Sequence, residues 1–334
     1  YKNRRTGLFK VQNLALMAAE FSTKNNSRLE RIHQKFKNSV ENGKFYEASQ
    51  MTKTLYFRYK SQKKYEDAEY ILYDSVIILL EHNQHESAFD LGRLLVKLYT
   101  ETKKNISDES LEKICKILSL SSKSSESRND YISEALSWSS QEGYKYGHPQ
   151  LHSVIANKYW QEKDYHSARK HFSYTNDGCQ CAMFLIEYHI LSGFPGEIDL
   201  FVTQAVLQFL CLRNQPTANT TFINYTSNHP GIHRTNYPYK QPLLNFIAFL
   251  LLIIEKGNVE QYAILCEHYQ PSIHKDPTYS QYLDKIGQIF FGIPPPKKEK
   301  SGIFGLLDNL MESMFSTESS EETEKMAVVA EEVD

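Results

Sequence analysis

The sequence predicts an all-α fold, a right-handed α-solenoid of TPR-like helix pairs. Small residues open successive amphipathic stretches at Ala48, Ala68 and Ala88, a rhythm of 20 residues per helix. Two helices in about 40 residues are typical of helical arrays, which mostly hold other proteins. The chain has only 14 glycines and 11 prolines in 334 residues, and 13% of it is aromatic. This composition favours helices with aromatic cores over strands.

The helices of the first half follow from apolar residues spaced three and four apart. A first helix is predicted over 28–42, where Asn42-Gly43 is a stop signal. The small alanine near the start of each repeat helix allows two helices to approach closely, so a large side chain there is expected to cost about 1–3 kcal/mol. Further helices are predicted at 45–59, after Tyr65, after Asn83, at 106–120 and 131–139, and from His152 and Tyr165.

The second half shows a looser rhythm with separate helical stretches. The segment from His229 to Pro242 contains three prolines and Gly231, so it is predicted to be an extended loop or one short β-hairpin. Helices are predicted at 197–212, 218–227, 243–255, 259–268 and 277–291.

Four regions are expected along the chain. Residues 1–27 are read as disordered or as an upstream extension, with Met17 as the natural start. The solenoid occupies 28–150 and 151–293. The region 294–334 is a tail with a short amphipathic helix and an acidic, disordered end. That helix either docks on the solenoid of its own chain or is bound by a partner or a membrane surface; its apolar residues are Ile303, Phe304, Leu306, Leu307, Leu310, Met311, Met314 and Phe315.

Composition suits a reducing compartment such as the cytosol, and it does not favour binding to nucleic acid. The formal net charge is -2, which gives no global attraction to nucleic acid or anionic lipid. Five scattered cysteines do not form a disulfide framework and suit a reducing compartment. The longest apolar run, from Leu243 to Ile254, rises roughly 18 Å as a helix and falls short of a ~30 Å hydrocarbon core.

The sequence contains few residue patterns that are typical of a catalytic or metal-binding site. Cys179-x-Cys181 lacks a second Cys/His pair at metal-ligand spacing, and His82 and His85 read as a solvated turn. We find no phosphate-binding loop, nucleophile elbow or zinc-protease motif. We therefore expect no catalytic residue, no metal and no cofactor. An enzyme built on helical repeats remains an alternative, which nucleotides or metals would reveal by stabilising the fold.

A basic face lies on the first two helices. Lys53 and Arg58 are on the second helix, and the first helix adds Arg28, Arg31, Lys35 and Lys37. This pattern fits an ordinary solvated helix face. It also fits a docking face for an acidic protein, on which charge sets the association rate and the register.

Several segments resemble the Golgi-to-ER traffic protein 4 family, the adaptor of the pathway for guided entry of tail-anchored proteins. In the first half, Gly43-Lys44-Phe45-Tyr46-Glu47-Ala48 and the run from Thr54 to Tyr59 resemble the family's amino-terminal helix pair. In the second half, the runs 205–212, 242–246 and 282–292 resemble its carboxyl-terminal helices. The tail helix resembles animal members.

The resemblance implies an α-solenoid adaptor without enzymatic activity. Its amino-terminal helices would dock the targeting ATPase of the pathway, and its carboxyl-terminal helices a ubiquitin-like-domain protein or a BAG-domain scaffold. The implied ATPase-docking residues are Tyr46, Glu47, Gln50, Lys53 and Arg58. The candidates for second-partner binding, most of which we expect to be core, are Phe246, Phe249, Leu250, Tyr269, Tyr282 and Phe290.

One other scaffold class shares the same rhythm. A proteasome-lid-like or peptide-clamp subunit would also show two helices in 40 residues. It is expected to lack the ending Gln288–Gly292 and to bind free carboxyl-terminal peptides.

Overall fold

A computed structural model describes residues 31–121, 126–140, 143–233 and 238–295, and within these ranges the chain is helical with no strand. The predicted all-α, solenoid-like fold class is thereby confirmed. The predictions for residues 1–27, for the tail helix Ile303–Phe315 and for the acidic end fall outside the described residues, as do residues 234–237 of the segment where a hairpin was considered.

The described residues form two compact units, which divide between Thr175 and Asn176, whereas the sequence analysis placed the two halves of the solenoid at 28–150 and 151–293. The first unit contains α1 (31–41), α2 (Phe45–Ser61), α3 (Tyr65–Glu81), α4 (His85–Glu101), α5 (Asp108–Leu120), α6 (Glu126–Ser139), α7 (Pro149–Gln161) and α8 (Tyr165–Phe172). The second unit contains α9 (Gly178–Ser192), a 3₁₀ turn (Pro195–Glu197), α10 (Ile198–Cys211), α11 (Gln215–Asn228), α12 (Pro242–Lys256), α13 (Val259–His268), α14 (Gln270–Ile273) and α15 (Pro277–Phe291).

The 20-residue rhythm has a simple geometric origin. The helices α2, α3 and α4 each contain 17 residues. Three-residue turns join α2 to α3 and α3 to α4, and a turn of the same form begins the six-residue connection after α4. The middle residue of each turn is left-handed, at Lys63 (φ 58°), Asn83 (φ 57°) and Lys103 (φ 51°). The N–H of the next residue then bonds a carbonyl five residues back, as Lys64 does to Tyr59 at 3.0 Å. This bond satisfies a carbonyl that the helix end leaves open.

Buried alanines lie at the contacts between the repeat helices. Ala48, Ala68, Ala88 and Ala168 are all fully buried, as their position in the rhythm predicts. Within the first unit α2, α4 and α6 pack side by side, while α3 packs against α5 and α5 against α7. The helices therefore lie in two layers, with the aromatic and aliphatic core between them.

A buried ion pair fastens α6 to the end of α7. The side chain of Arg128 is 1% exposed, and its guanidinium donates to both carboxylate oxygens of Glu162 at 2.5 and 2.8 Å. Removing one partner of such a pair leaves a buried charge without its counter-ion, which lowers the free energy of unfolding by about 3–5 kcal/mol. The pair is thus a structural element and not an available docking charge.

In the second unit, α9 packs against α11, and α10 packs against α11, α12 and α15. The sequence analysis predicted no helix over Gly178–Ser192. This segment is apolar on nearly every side, so it lacks the alternation of polar and apolar faces that marks an amphipathic helix. The four-residue helix α14 was also missed, because so short a segment carries no period.

Candidate functional site

One face of the first unit presents aromatic and charged side chains together. On α2, the residues Tyr46, Gln50, Lys53 and Phe57 are spaced by four, three and four, which aligns them along one side of the helix. Tyr46 is 74% exposed and Phe57 is 58% exposed. Large aromatic side chains left in water are unusual for a structural surface and common at interfaces.

This face continues from α2 onto its neighbours α4 and α6 as a charged groove. The groove has a volume of about 310 Å³ and is open to solvent. We refer to it as the α2/α4/α6 groove; its lining residues are Lys53, Phe57, Asp90, Arg93, Leu94, Lys97 and Glu134.

Ion pairs order the charges of the groove. Lys53 Nζ lies 3.0 Å from Asp90 Oδ2. Arg93 bridges Asp130 and Glu134, both at 2.7 Å, and its hydrogen bond to Glu134 raises the pKa of the guanidinium further. Exposed pairs of this kind contribute only about 0–1 kcal/mol to folding. Their role is to hold charges of both signs at fixed positions on a surface.

The five predicted ATPase-docking residues divide between two sides of α2. Tyr46, Gln50 and Lys53 lie on the side that leads to the groove. Glu47 and Arg58 lie about a quarter turn away around the helix, and both are exposed. Arg58 forms no ion pair with any residue that the structure describes. The structure thus adds α4 and α6 to a surface that the sequence confined to α1 and α2.

Phe57 is the residue of this surface that sequence reasoning missed. It adjoins Tyr56, which is fully buried, and the two rings lie 5.0 Å apart. Adjacent residues of a helix point about 100° apart, so one ring enters the core while the other faces solvent. The signal that could have found Phe57 is its register with Tyr46, Gln50 and Lys53.

The predicted second-partner residues lie in the second unit, and half of them are core. Phe246, Leu250 and Tyr282 are 1%, 0% and 8% exposed. Their side chains pack inside the unit, so they form no open groove there. Phe249, Tyr269 and Phe290 are half-buried. This sorting could not be made from periodicity, because α12 is apolar on most of its circumference.

A different apolar surface is exposed on the second unit. Met183, Ile190 and Leu191 project from α9, Phe194 follows α9, and Ile223 lies on α11; their exposed fractions are 45%, 54%, 61%, 73% and 60%. The two helices are adjacent, since Cys179 Sγ lies 3.7 Å from Asn224 Oδ1. We call this set the α9/α11 apolar surface. Exposed clusters of large apolar side chains mark interaction sites.

Four buried histidines form two hydrogen-bonded pairs, one pair in each unit. His152 Nε2 lies 2.9 Å from the Tyr146 carbonyl, and its Nδ1 lies 3.0 Å from His171 Nδ1. In the second unit His189 Nε2 lies 3.0 Å from the Phe194 carbonyl, and its Nδ1 lies 2.9 Å from His229 Nε2. Burial lowers the pKa of His152 and of His229 to about 4. These neutral rings hold loops in place.

The described residues show neither a metal site nor a membrane span. Within them, no group of three or more His, Cys, Asp or Glu side chains is placed to hold a metal ion. Across the same residues, no helix is both long and apolar enough to cross a membrane.

Comparison with known proteins gives one consistent result. A family model described as Golgi to ER traffic protein 4 matches residues 62–315. The Golgi to ER traffic protein 4 homolog of Homo sapiens is 43% identical over 315 residues, which are 93% of this chain and 95% of the human protein. The Oryzias latipes homolog is 44% identical over 296 residues, covering 89% of this chain and 91% of that protein.

A solved structure agrees with these relatives. The crystal structure of C. therm. Get4 superposes with a TM-score of 0.74 at 25% sequence identity. The superposition covers 85% of this chain and 95% of that one.

Proposed function

Because the chain belongs to the Golgi to ER traffic protein 4 family, we propose that it is a cytosolic adaptor that targets tail-anchored membrane proteins to the endoplasmic reticulum. In this role it bridges the targeting ATPase to a pre-targeting complex that contains a ubiquitin-like-domain protein or a BAG-domain scaffold. The observation that carries the proposal is the presence of two chemically different exposed surfaces, one in each compact unit.

The α2/α4/α6 groove is the proposed contact for the ATPase. It combines the exposed Lys97 and the exposed ring of Phe57 with the ordered charges of Lys53, Asp90 and Arg93. The exposed ring of Tyr46 lies beside the groove on the same side of α2. Aromatic anchors supply binding energy at an interface. Surrounding charges of fixed position set register and association rate.

The α9/α11 apolar surface is the proposed contact for the second partner. Among its members Phe194 and Leu191 are the most exposed, and Glu187 is the one charged residue on α9. A surface with so little charge favours a partner segment with an apolar face, such as an amphipathic helix. Phe249, Tyr269 and Phe290 stay candidates because they are half-buried.

In this proposal the chain performs no chemistry of its own. ATP is bound and hydrolysed by the partner, and the adaptor brings the ATPase and the substrate-loading complex together. Linking two binding events in one scaffold raises the effective concentration of each partner near the other.

Affinity purification of the full chain from cytosol, followed by mass spectrometry, tests the proposal. Recovery of the targeting ATPase together with a ubiquitin-like or BAG-domain protein is the expected result. If neither is recovered, and proteasome-lid subunits are bound instead, the adaptor function is wrong although the fold stands.

A further inference from the structure

The last helices of the described chain enclose an open cavity. It has a volume of about 350 Å³ and lies between α13, α14, α15 and the residues that follow α15. Ile273, Leu283 and Ile293 contribute apolar wall. On one side of the cavity, the Ile293 side chain packs closely against Gly287. A Cβ added to Gly287 would lie 3.0 Å from Ile293 Cδ1.

These helices also leave apolar side chains in water. On α13, Val259 is 44% exposed and lies on the side of the helix that carries Tyr262 and Cys266, whereas Ile264, which is 65% exposed, lies on the opposite side. Helices at the end of a repeat array have no further repeat to cover them, so such arrays end in a capping element with a polar outer face. Helices α13–α15 are the last in the described residues, and besides polar residues such as Glu267 and Asp284 they expose Val259 on the cavity side of α13.

The chain itself continues directly from the cavity. Pro294 lines the cavity, and the next apolar stretch starts at Ile303. Residues 296–302 join the two and span at most about 3.3–3.6 Å per residue. A short connection of this kind holds the apolar stretch near the cavity at an effective concentration in the millimolar range.

Charge favours the same pairing. Glu267 and Asp284 line the cavity, both are exposed at its rim, and burial raises the pKa of Asp284. The connecting residues carry Lys297, Lys298 and Lys300. Lysines that emerge beside two carboxylates gain electrostatic energy when the following helix lies across the cavity.

We propose that the segment Ile303–Phe315 docks through its apolar side chains on the cavity of α13–α15 in its own chain. Its apolar side inserts into the cavity, and its polar residues, including Asp308 and Glu312, face solvent. The inference goes beyond the proposed adaptor function and does not depend on which proteins the adaptor binds.

Cys266 provides a direct probe, because it lines the cavity and is half-buried. The full chain and a chain ending at Pro296 are treated with iodoacetamide, and alkylation of each cysteine is followed by mass spectrometry. We expect Cys266 to react at least about fivefold more slowly in the full chain, given the effective concentration of the tethered segment. Cys179 on α9 is exposed and serves as the internal control, with equal rates in both proteins.

Variants of the full chain separate docking from other effects of the tail. Leu307→Asp combined with Leu310→Asp places charge on the apolar side and should return Cys266 to the fast rate. Deletion of Ser316–Asp334, which leaves the helix intact, should keep the slow rate. Hydrogen exchange of the α15 backbone amides is a second measurement. The full chain and the chain without Ser316–Asp334 should exchange more slowly than the chain ending at Pro296 and the variant with both aspartates.

The outcomes decide the proposal in either direction. Equal rates of alkylation and exchange in the full and shortened chains would overturn it. Protection that grows with protein concentration would mean that the tail of a second copy occupies the cavity, which also overturns docking within one chain.

Discussion

At the scale of single residues, the informative aromatics are those that face away from the core. Tyr56 and Tyr59 are buried, yet Phe57 between them is 58% exposed. An exposed ring gains little for folding, because its transfer out of water is incomplete. It gains much more when a partner covers it. Phe57 is therefore better explained by binding than by stability.

We predict that Phe57→Ala weakens ATPase binding by at least about 1 kcal/mol, roughly fivefold or more in Kd, as truncation of an interface aromatic does. The melting temperature should change little, since the Phe57 ring is 58% exposed and little buried area is lost. Titration calorimetry and thermal unfolding measure the two effects. Tyr70→Ala, which removes a ring 52% exposed on α3, is the matched control and should leave the affinity unchanged.

The two histidine pairs are chains of single hydrogen bonds with a fixed direction. A carbonyl only accepts, so the proton of His152 is on Nε2, and its Nδ1 accepts from His171 Nδ1. By the same reasoning His229 Nε2 donates to His189, and His229 Nδ1 accepts from the N–H of Gly231 at 3.0 Å. Protonation of His152 at Nδ1 would put two N–H donors face to face. The native fold therefore requires a neutral His152 ring.

Stability should therefore fall as the pH drops from about 6.5 toward 4. Burial, aided by the charges of His148 and Lys170, lowers the pKa of His152 from 6.5 to about 4, so the unfolded chain binds the proton first. At pH 5 this residue alone removes about 2 kcal/mol of the stability present above pH 7. Urea unfolding between pH 7.5 and 5 measures the slope. His166→Gln, at an exposed position, should keep it, and a pH-independent stability would contradict the prediction.

At the scale of elements, the turns explain both the rhythm and a local strain. Lys63, Lys103, Lys163 and Arg213 all have φ between 51° and 63°, where side chains other than glycine are disfavoured. The first turn of the series has Gly43 at the equivalent position, with φ 72°. A basic side chain at the end of a helix offsets part of this cost through the helix dipole.

We predict that Lys63→Gly stabilises the protein by about 0.5–1 kcal/mol, because glycine adopts the left-handed region without the Cβ penalty. Gln62→Gly is the matched control. Gln62 has φ -85°, so glycine there adds only chain entropy to the unfolded state and should destabilise. Chemical unfolding of the two variants should move the midpoint in opposite directions; movement in the same direction would show that the turn is not strained.

The helices also show which elements a sequence pattern can predict and which it cannot. The helices α2, α3 and α4 were predictable because a buried alanine and a polar face recur in each. The helices α13 and α15 were predicted with the bounds that the structure has, since Asn258 and Pro277 mark their starts and Gly292 ends α15. The pattern failed for α9, whose apolar residues supply both a core face and the α9/α11 apolar surface.

At the scale of the whole molecule, the two proposed contacts use different physical principles. The α2/α4/α6 groove carries ordered charges and belongs to the first unit. The α9/α11 apolar surface has almost no charge and belongs to the second. Each unit has its own buried core, so a surface change in one need not disturb the other. An adaptor requires this independence.

We predict that Lys53→Glu with Arg58→Glu lowers ATPase binding at least about tenfold and leaves the second partner bound, because reversed charge repels where it attracted. Ile190→Asp with Ile223→Asp should do the converse, since a charge buried at an apolar interface is costly. Pull-down with each purified partner measures both. Lys116→Glu on α5, which is exposed, is the control. Loss of both partners, or of neither, in the charge-reversed variant would contradict the assignment.

The sequence alone determined the all-α class, the 20-residue repeat and the family, and it predicted Tyr46 and Lys53 of α2 as docking residues. These features depend on local periodicity and on motifs, which are properties of neighbouring residues. Only the tertiary structure decided that Phe246, Leu250 and Tyr282 are core, that Phe57 joins a groove with α4 and α6, and that α9 exposes an apolar surface. Burial depends on contacts between helices distant in sequence, and an aromatic or aliphatic residue has the same pattern whether a neighbouring helix covers it or not.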